Sequence, residues 1–596
     1  MRFRKSILLL ALCFLFGSFA GCTGQGDDGE TGTTVAETEV FEKVDFGLNE
    51  PAATIDLVDF VSANNTGPTM VSAMVLQGIV NKKQPRIYIA RPWSSNGVDV
   101  EAVRQNILTE YGEVALNRMA LDSEPGHADG QVFWTLFEKY HEEVERMFVF
   151  PTNAALNDVI NVAVMLAGRN QGIAVTADLA DQIVAEGYDL PRVDVLEYMG
   201  MTAQQANYLS VNNWIADNLV EGANKTIVYA AVPRERGTGE EFLPTYYDLI
   251  VASGGLVYNA GYDFLEAGKA YQKKILDQFP DCTPVMGWAD LSMEEDYVSS
   301  VSECGKIIAG ADWGYDNGSV WGAFPEYTHE EPINGEIPAD YTAENGKMYV
   351  SFMMSDGDAW HFTDGSNIAN FMNENRGTFP MGWSTASLFG SCNPLIMEWY
   401  YDKKSPNDEF LQGPCGSSYA YASKMPARSY ENFLKLTKET FGKMGITMAN
   451  YWDLVNNGGG VGNSLVGSDY SLIEKYVEIV QPDLLSRGHN SLTGEWQLIG
   501  DTVVIEQIGN YWAKNGVESY GGCDNASDIV GSLEYFREHE LKSDAPLFIM
   551  VNVNSWGVGV QMVPEAINEL KAGENADSYE FVLPSQMVAA IRNYSK

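Results

Sequence analysis

The chain has 596 residues, 45% hydrophobic and 12% aromatic, which is enough to bury several cores, and its formal net charge is -43. That charge argues against nucleic acid, which draws most of its protein affinity from Lys and Arg on phosphates, and against anionic lipid headgroups. An uncharged carbohydrate meets no such repulsion.

The chain opens with the basic Met1-Arg2-Phe3-Arg4-Lys5 and runs into the apolar stretch Ile7 to Phe16, the anatomy of a signal peptide. The stretch falls short of the about 20 residues that span a bilayer as a helix. Phe19-Ala20-Gly21-Cys22 resembles a bacterial lipobox, so residues 1–21 read as a lipoprotein signal and Cys22 as the lipidation site. The expectation is an exported protein held at the bacterial cell envelope by that lipid. Thr23 to Glu39 has almost nothing to bury, and 22–45 reads as a flexible tether. The later cysteines, Cys282, Cys304, Cys392, Cys415 and Cys523, lack CxxC spacing, which gives no zinc ribbon or thioredoxin-like site. In an oxidising compartment Cys282 with Cys304, or Cys392 with Cys415, could form disulfides; buried thiols are the alternative.

From Thr54 short apolar runs alternate with helical patterns. Arg86 to Ala90, Met147 to Phe150, Gly172 to Val175 and Thr226 to Tyr229 read as buried strands, with helices at Pro68 to Val80 and Ala154 to Gly168. Pro284 to Trp288, the helix Ser292 to Ser302 and Lys306 to Gly310 make one more unit. This pattern predicts parallel sheets covered by helices: an α/β region over 46–225, and a third α/β subdomain with a linker over 226–345. The linker is Phe324 to Lys347, rich in acids and prolines.

In 346–596 strands are predicted at Lys347 to Met354, Gly445 to Trp452, Thr502 to Ile508, Leu547 to Asn552 and Tyr579 to Leu583. Helices fall between them at Tyr430 to Lys443, Ala526 to His539 and Val563 to Ala572. The fold class is therefore α/β, with N-terminal parallel-sheet domains followed by a C-terminal (β/α) barrel-like domain; an open doubly wound sheet is the competing topology.

In both topologies ligands meet the C-terminal ends of strands, so the search for chemistry starts there. Met348 to Met354 runs into Ser355-Asp356-Gly357-Asp358, two acids about one glycine; the bland alternative is a turn whose Asp caps a helix. Asp453 follows another strand, and Glu506 lies inside an apolar one, where a charge is either paired or functional. Gly413-Pro414-Cys415-Gly416 leads into Ser418-Tyr419-Ala420-Tyr421. Tyr419, Tyr421, Trp383 and Trp452 offer ring faces to a sugar, and Asn552, Asn554 and Trp556 close a further strand.

The order of these landmarks, SDGD after a strand, Pro380-Met381-Gly382-Trp383, Trp399-Tyr400-Tyr401, Asp408-Glu409-Phe410 and the glycine-tyrosine segment, resembles the GxGYxYP family of putative glycoside hydrolases. Asn81, followed by Pro85-Arg86-Ile87-Tyr88, resembles that family's N-terminal region. Ser418 stands where the motif has its second glycine, and Ala422 where it has proline. The resemblance implies a carbohydrate substrate; glycoside hydrolysis needs two carboxyl groups, and this reading expects no cofactor and no metal. The expectation is that Asp356 or Asp358 supplies one carboxyl and Glu506 or Asp453 the other. Two other readings stand beside it. One is an envelope protein that binds glycans without cleaving them. The other is a metal-dependent deacetylase built on Asp356, Asp358, His361 and Asp364.

Overall fold

The computed structural model describes residues 40–61, 67–152, 158–231, 234–235, 241–242, 246–260, 266–288, 294–311, 315–453, 470–488, 494–508, 511–512, 520–521, 525–553, 555 and 559–596. Cys22 and the tether up to Glu39 lie outside these residues, as do Cys523, Asn554 and Trp556. No described helix is long and apolar enough to cross a membrane.

The N-terminal half contains three parallel sheets. Thr54–Asp59 lies between Ile87–Ala90 and Ala115–Arg118; Arg146–Val149 lies between Gly172–Val175 and Arg192–Asp194. The third sheet orders Leu256–Tyr258, Val228–Ala230, Pro284–Gly287 and Ile307–Ala309. Helix Gly67–Asn81 is apolar on all sides because it is buried on all sides, from Thr69 to Asn81. Asn81 ends it by accepting from the backbone N–H of Arg86 and Ile87, and its amide donates to Ser319 at 2.8 Å. One side chain thus sets the next strand and ties it to the third domain.

The C-terminal half closes into a barrel of seven parallel strands in sequential order. They are β1 (Met348–Met354), β2 (Met381–Thr385), β3 (Asp408–Gln412), β4 (Met448–Tyr451), β5 (Leu484–Arg487), β6 (Thr502–Ile508) and β7 (Leu547–Val553). Closure comes from β7 pairing along the whole of β1 while β1 also meets β2 at Met353 and Met354. Alternate residues face the lumen: Tyr349, Met353, Leu411, Met448, Leu484, Val503, Ile505, Phe548 and Met550 form one apolar cluster, joined by Val588 and Ile591 of helix Pro584–Tyr594.

Three seams of the barrel open toward the N-terminal ends of the strands, and each is filled. Between β6 and β7, which pair only at Gln507 and Ile508, the antiparallel strand Trp496–Ile499 runs along Thr502 to Ile505. Strand Tyr579–Phe581 pairs with Met348 to Val350, where β2 does not reach. Between β3 and β4, which pair only at Gln412 and Ala449, the side chain of Asn334 takes the place of a strand, accepting from Phe410 N and donating to Phe410 O, both at 2.8 Å. The segment expected as a linker is therefore irregular but packed: His329 N and Ile333 N also bond to the backbone at Lys443 and Gly445. The two proposed disulfides are not formed, and Cys282, Cys304, Cys392 and Cys415 are free thiols.

Candidate active site at the barrel mouth

At the end of β1 the chain turns sharply. Asp356 takes a left-handed backbone (φ 62°), and Ser384 Oγ bridges the turn, donating to Met354 O and accepting from Gly357 N. A Cβ on Gly357 would lie 2.4 Å from the carbonyl carbon of Ser384, so only glycine fits between the two acids. The half-exposed carboxylate of Asp356 accepts from Ser555 Oγ, whereas Asp358 is 5% exposed. Burial, then the charges of Asp356 and Glu294, push the Asp358 carboxyl well above the usual carboxylate range.

Glu294 is the residue that sequence reasoning missed. It opens helix Glu294–Glu303 of the third N-terminal domain, where an acid reads as an ordinary complement to the helix dipole. The next strand of that domain explains its position. Ile308 exchanges both backbone hydrogen bonds with Tyr419, and Gly310 pairs with the segment after Asp358, donating to Asp358 O at 3.0 Å and accepting from Trp360 N. One edge strand thereby holds both loops of the barrel mouth and brings Glu294 to them. Tyr419 Oη donates to Glu294 Oε1 at 3.0 Å and lies 3.3 Å from Tyr421 Oη. Burial pushes the Glu294 carboxyl up to about 7, with the Asp356 charge adding and the Tyr419 hydrogen bond opposing.

The expected residues separate into those that gather here and those that do not. Asp356 and Asp358 gather. Glu506 does not: its strand neighbours Ile505 and Gln507 turn to the lumen, and Glu506 pairs at 2.5 Å with Arg487, whose guanidinium lies over the Tyr470 ring of an outer helix. Asp453 accepts from Ser423 N, Ser423 Oγ and Tyr451 Oη, and so fastens the turn after Tyr421. Tyr419 and Tyr421 are buried; Tyr419 stacks on Trp288 and meets Trp452 edge-on, so these rings support Glu294 instead of offering faces to a sugar. Trp383 is a core residue whose indole donates to Asp408 at 2.9 Å. Asn552 faces the lumen, fully buried, and among the described residues neither amide atom has a hydrogen-bond partner; Ser351 Oγ is in the same state. These atoms form a polar floor, to which Gln507 and Asn450 also belong by strand parity and by their 2.8 Å hydrogen bond.

The metal reading loses its ligand set. Asp364 is buried against Arg104, which also pairs with Asp316 and Glu101, so its carboxylate is already committed. Among the described residues, Asp356, Asp358, His361 and Asp364 do not form a group with ligand atoms within reach of one ion.

Family models match residues 346–592, as the GxGYxYP putative glycoside hydrolase C-terminal domain, and residues 236–323, as the GxGYxYP third domain. The chain belongs to the GxGYxYP family. Its fold is similar to that of a crystal structure of a putative hydrolase from Bacteroides thetaiotaomicron VPI-5482, with a TM-score of 0.72 at 19% identity over 93% of this chain and 98% of that one. A putative polysaccharide deacetylase from Mycobacterium smegmatis aligns over 44% of this chain and 96% of its own, at 10% identity and a TM-score of 0.28, too low to carry an argument. A search of curated proteins gave no match. The two departures from the GxGYxYP motif are accommodated locally. Ser418 is not among the positive-φ residues and donates its hydroxyl to Ile308 O, reinforcing the contact with the third domain. Ala422 begins the short 3-10 turn Ala422–Lys424.

Proposed function

We propose that this member of the GxGYxYP family hydrolyses glycosidic bonds of a neutral glycan at the barrel mouth, with Glu294 as general acid and Asp356 as the carboxylate that acts as nucleophile or activates water. The reading rests on one observation: a carboxyl from a second domain, pushed up to about 7, stands beside an acidic turn at a barrel strand end. Neighbouring carboxyls with separated pKa values are the arrangement that glycoside hydrolysis uses, one holding a proton for the leaving oxygen and one charged. Asp358, buried and neutral, would donate a hydrogen bond instead of carrying charge.

The test is release of reducing ends from neutral polysaccharides by the wild type, Asp356→Asn and Glu294→Gln. Loss in both variants, with circular dichroism unchanged, supports the reading; full activity in either one removes it. Glycan binding with no released ends in the wild type would favour a binding protein. We further propose that a lipid on Cys22 holds the enzyme at the cell envelope, which labelled palmitate incorporated by the wild type and absent from Cys22→Ala would support.

A further inference from the structure

The first N-terminal sheet has a crevice that the barrel chemistry does not use. Its strand order places Thr54–Asp59 in the middle, so the chain leaves to one side for Ile87–Ala90 and crosses to the other for Ala115–Arg118. In open α/β sheets such a reversal opens a crevice at the carboxyl ends of the strands, where ligands bind. A cavity of about 430 Å³ lies there, within the range of small-molecule sites, and its walls include Asp59 and Arg118 at their strand ends with Trp93, Asp99, Glu101 and Gln105.

The lining suits an uncharged ligand rich in hydroxyls. Arg118 pairs with Asp59 and donates to Gln105 Oε1 at 3.1 Å, so donors and acceptors alternate along one wall. Glu101 is 5% exposed; its Oε1 accepts from Gln105 Nε2 at 3.0 Å, its Oε2 lies 3.5 Å from the Arg104 guanidinium, and the carboxylate also meets the Tyr88 hydroxyl. Asp59, Asp99 and Glu101 against Arg118 in the wall and Arg104 behind it leave a net negative lining, which disfavours an anion. Trp93 supplies a half-buried aromatic wall. A Cβ on Gly365 would lie 1.8 Å from Trp93 Cη2, so the crevice leans on the segment that follows Asp358 in the barrel domain.

We propose that this crevice is a second glycan site, distinct from the barrel mouth, that holds a neutral sugar residue against Trp93 with its hydroxyls on Asp59, Glu101, Gln105 and Arg118. The proposal does not depend on the barrel being a hydrolase. It is tested on an array of neutral and charged oligosaccharides with the full chain carrying Asp356→Asn, compared with the same chain also carrying Gln105→Ala and Arg118→Ala. Both added changes alter solvent-touching side chains, and equal melting temperatures check the fold. The expected result is capture of at least one neutral glycan by the first chain and a loss of about tenfold or more in the second, the effect of removing hydrogen bonds that involve a charged group. Equal capture by both chains, capture of charged glycans only, or no neutral glycan captured by either overturns it.

Discussion

Replacing Glu294 by Gln keeps the shape of the side chain and removes its proton. If Glu294 protonates the leaving oxygen, kcat/KM falls by about 10²–10⁴, or roughly 3–5 kcal/mol of barrier. The pH profile is more diagnostic. An acid held up to about 7 must be protonated to work, so wild-type activity falls above that pH, and the alkaline limb is absent from Glu294→Gln. Stability falls with rising pH as well. A carboxyl raised from 4.5 to about 7 gives its full share of stability below pH 4.5 and loses it as pH rises through 7. At about 1.4 kcal/mol per unit, discounted because Glu294 is partly exposed, ionising it in the fold costs about 2–3 kcal/mol. Glu294→Gln should therefore melt higher than the wild type at pH 8 and no higher at pH 4. Kinetics on a soluble chromogenic glycoside and calorimetry at both pH values read this out. Unchanged turnover, or a stability difference that ignores pH, would refute the reasoning.

Tyr419→Phe removes the hydrogen bond that favours ionised Glu294, so the alkaline limb should move above 7 in the same kinetic assay. Glu506→Gln should leave turnover unchanged while lowering stability in urea by about 2–3 kcal/mol, because Arg487, mostly buried, loses its charged partner. Gly357→Ala forces a methyl into the backbone of Ser384; a stability loss of about 1–3 kcal/mol and a lower kcat should follow as Asp356 and Asp358 shift. If Gly357→Ala keeps wild-type kcat, the turn is not holding the acids in register.

Strands β1, β6 and β7 were legible because Met348 to Met354, Thr502 to Ile508 and Leu547 to Val553 are long apolar runs. β2 and β3 were hidden by composition. Gly382 and Ser384 sit in β2 because the lumen is tight there, a Cβ on Gly382 falling 2.7 Å from Leu411 Cδ1. Asp408 and Glu409 put two charges into a short strand, yet each is buried against specific donors: Trp383 and Arg376 for the first, Ser585 for the second. The acidic turn was found because it directly follows a buried strand. Glu506 misled because one residue of parity separates the lumen from the outer face. Glu294 was out of reach for another reason: nothing local tells that the next strand will pair with a barrel loop.

That pairing also bears on how such proteins can be inherited. A barrel whose mouth loops are hydrogen-bonded to another domain's edge strand, and whose Tyr419 bonds to that domain's Glu294, is ill suited to travel between genes as a free-standing cassette. Recombination that keeps the barrel but swaps what precedes it would yield a folded scaffold lacking its acid, so the third domain and the barrel are expected to share one lineage.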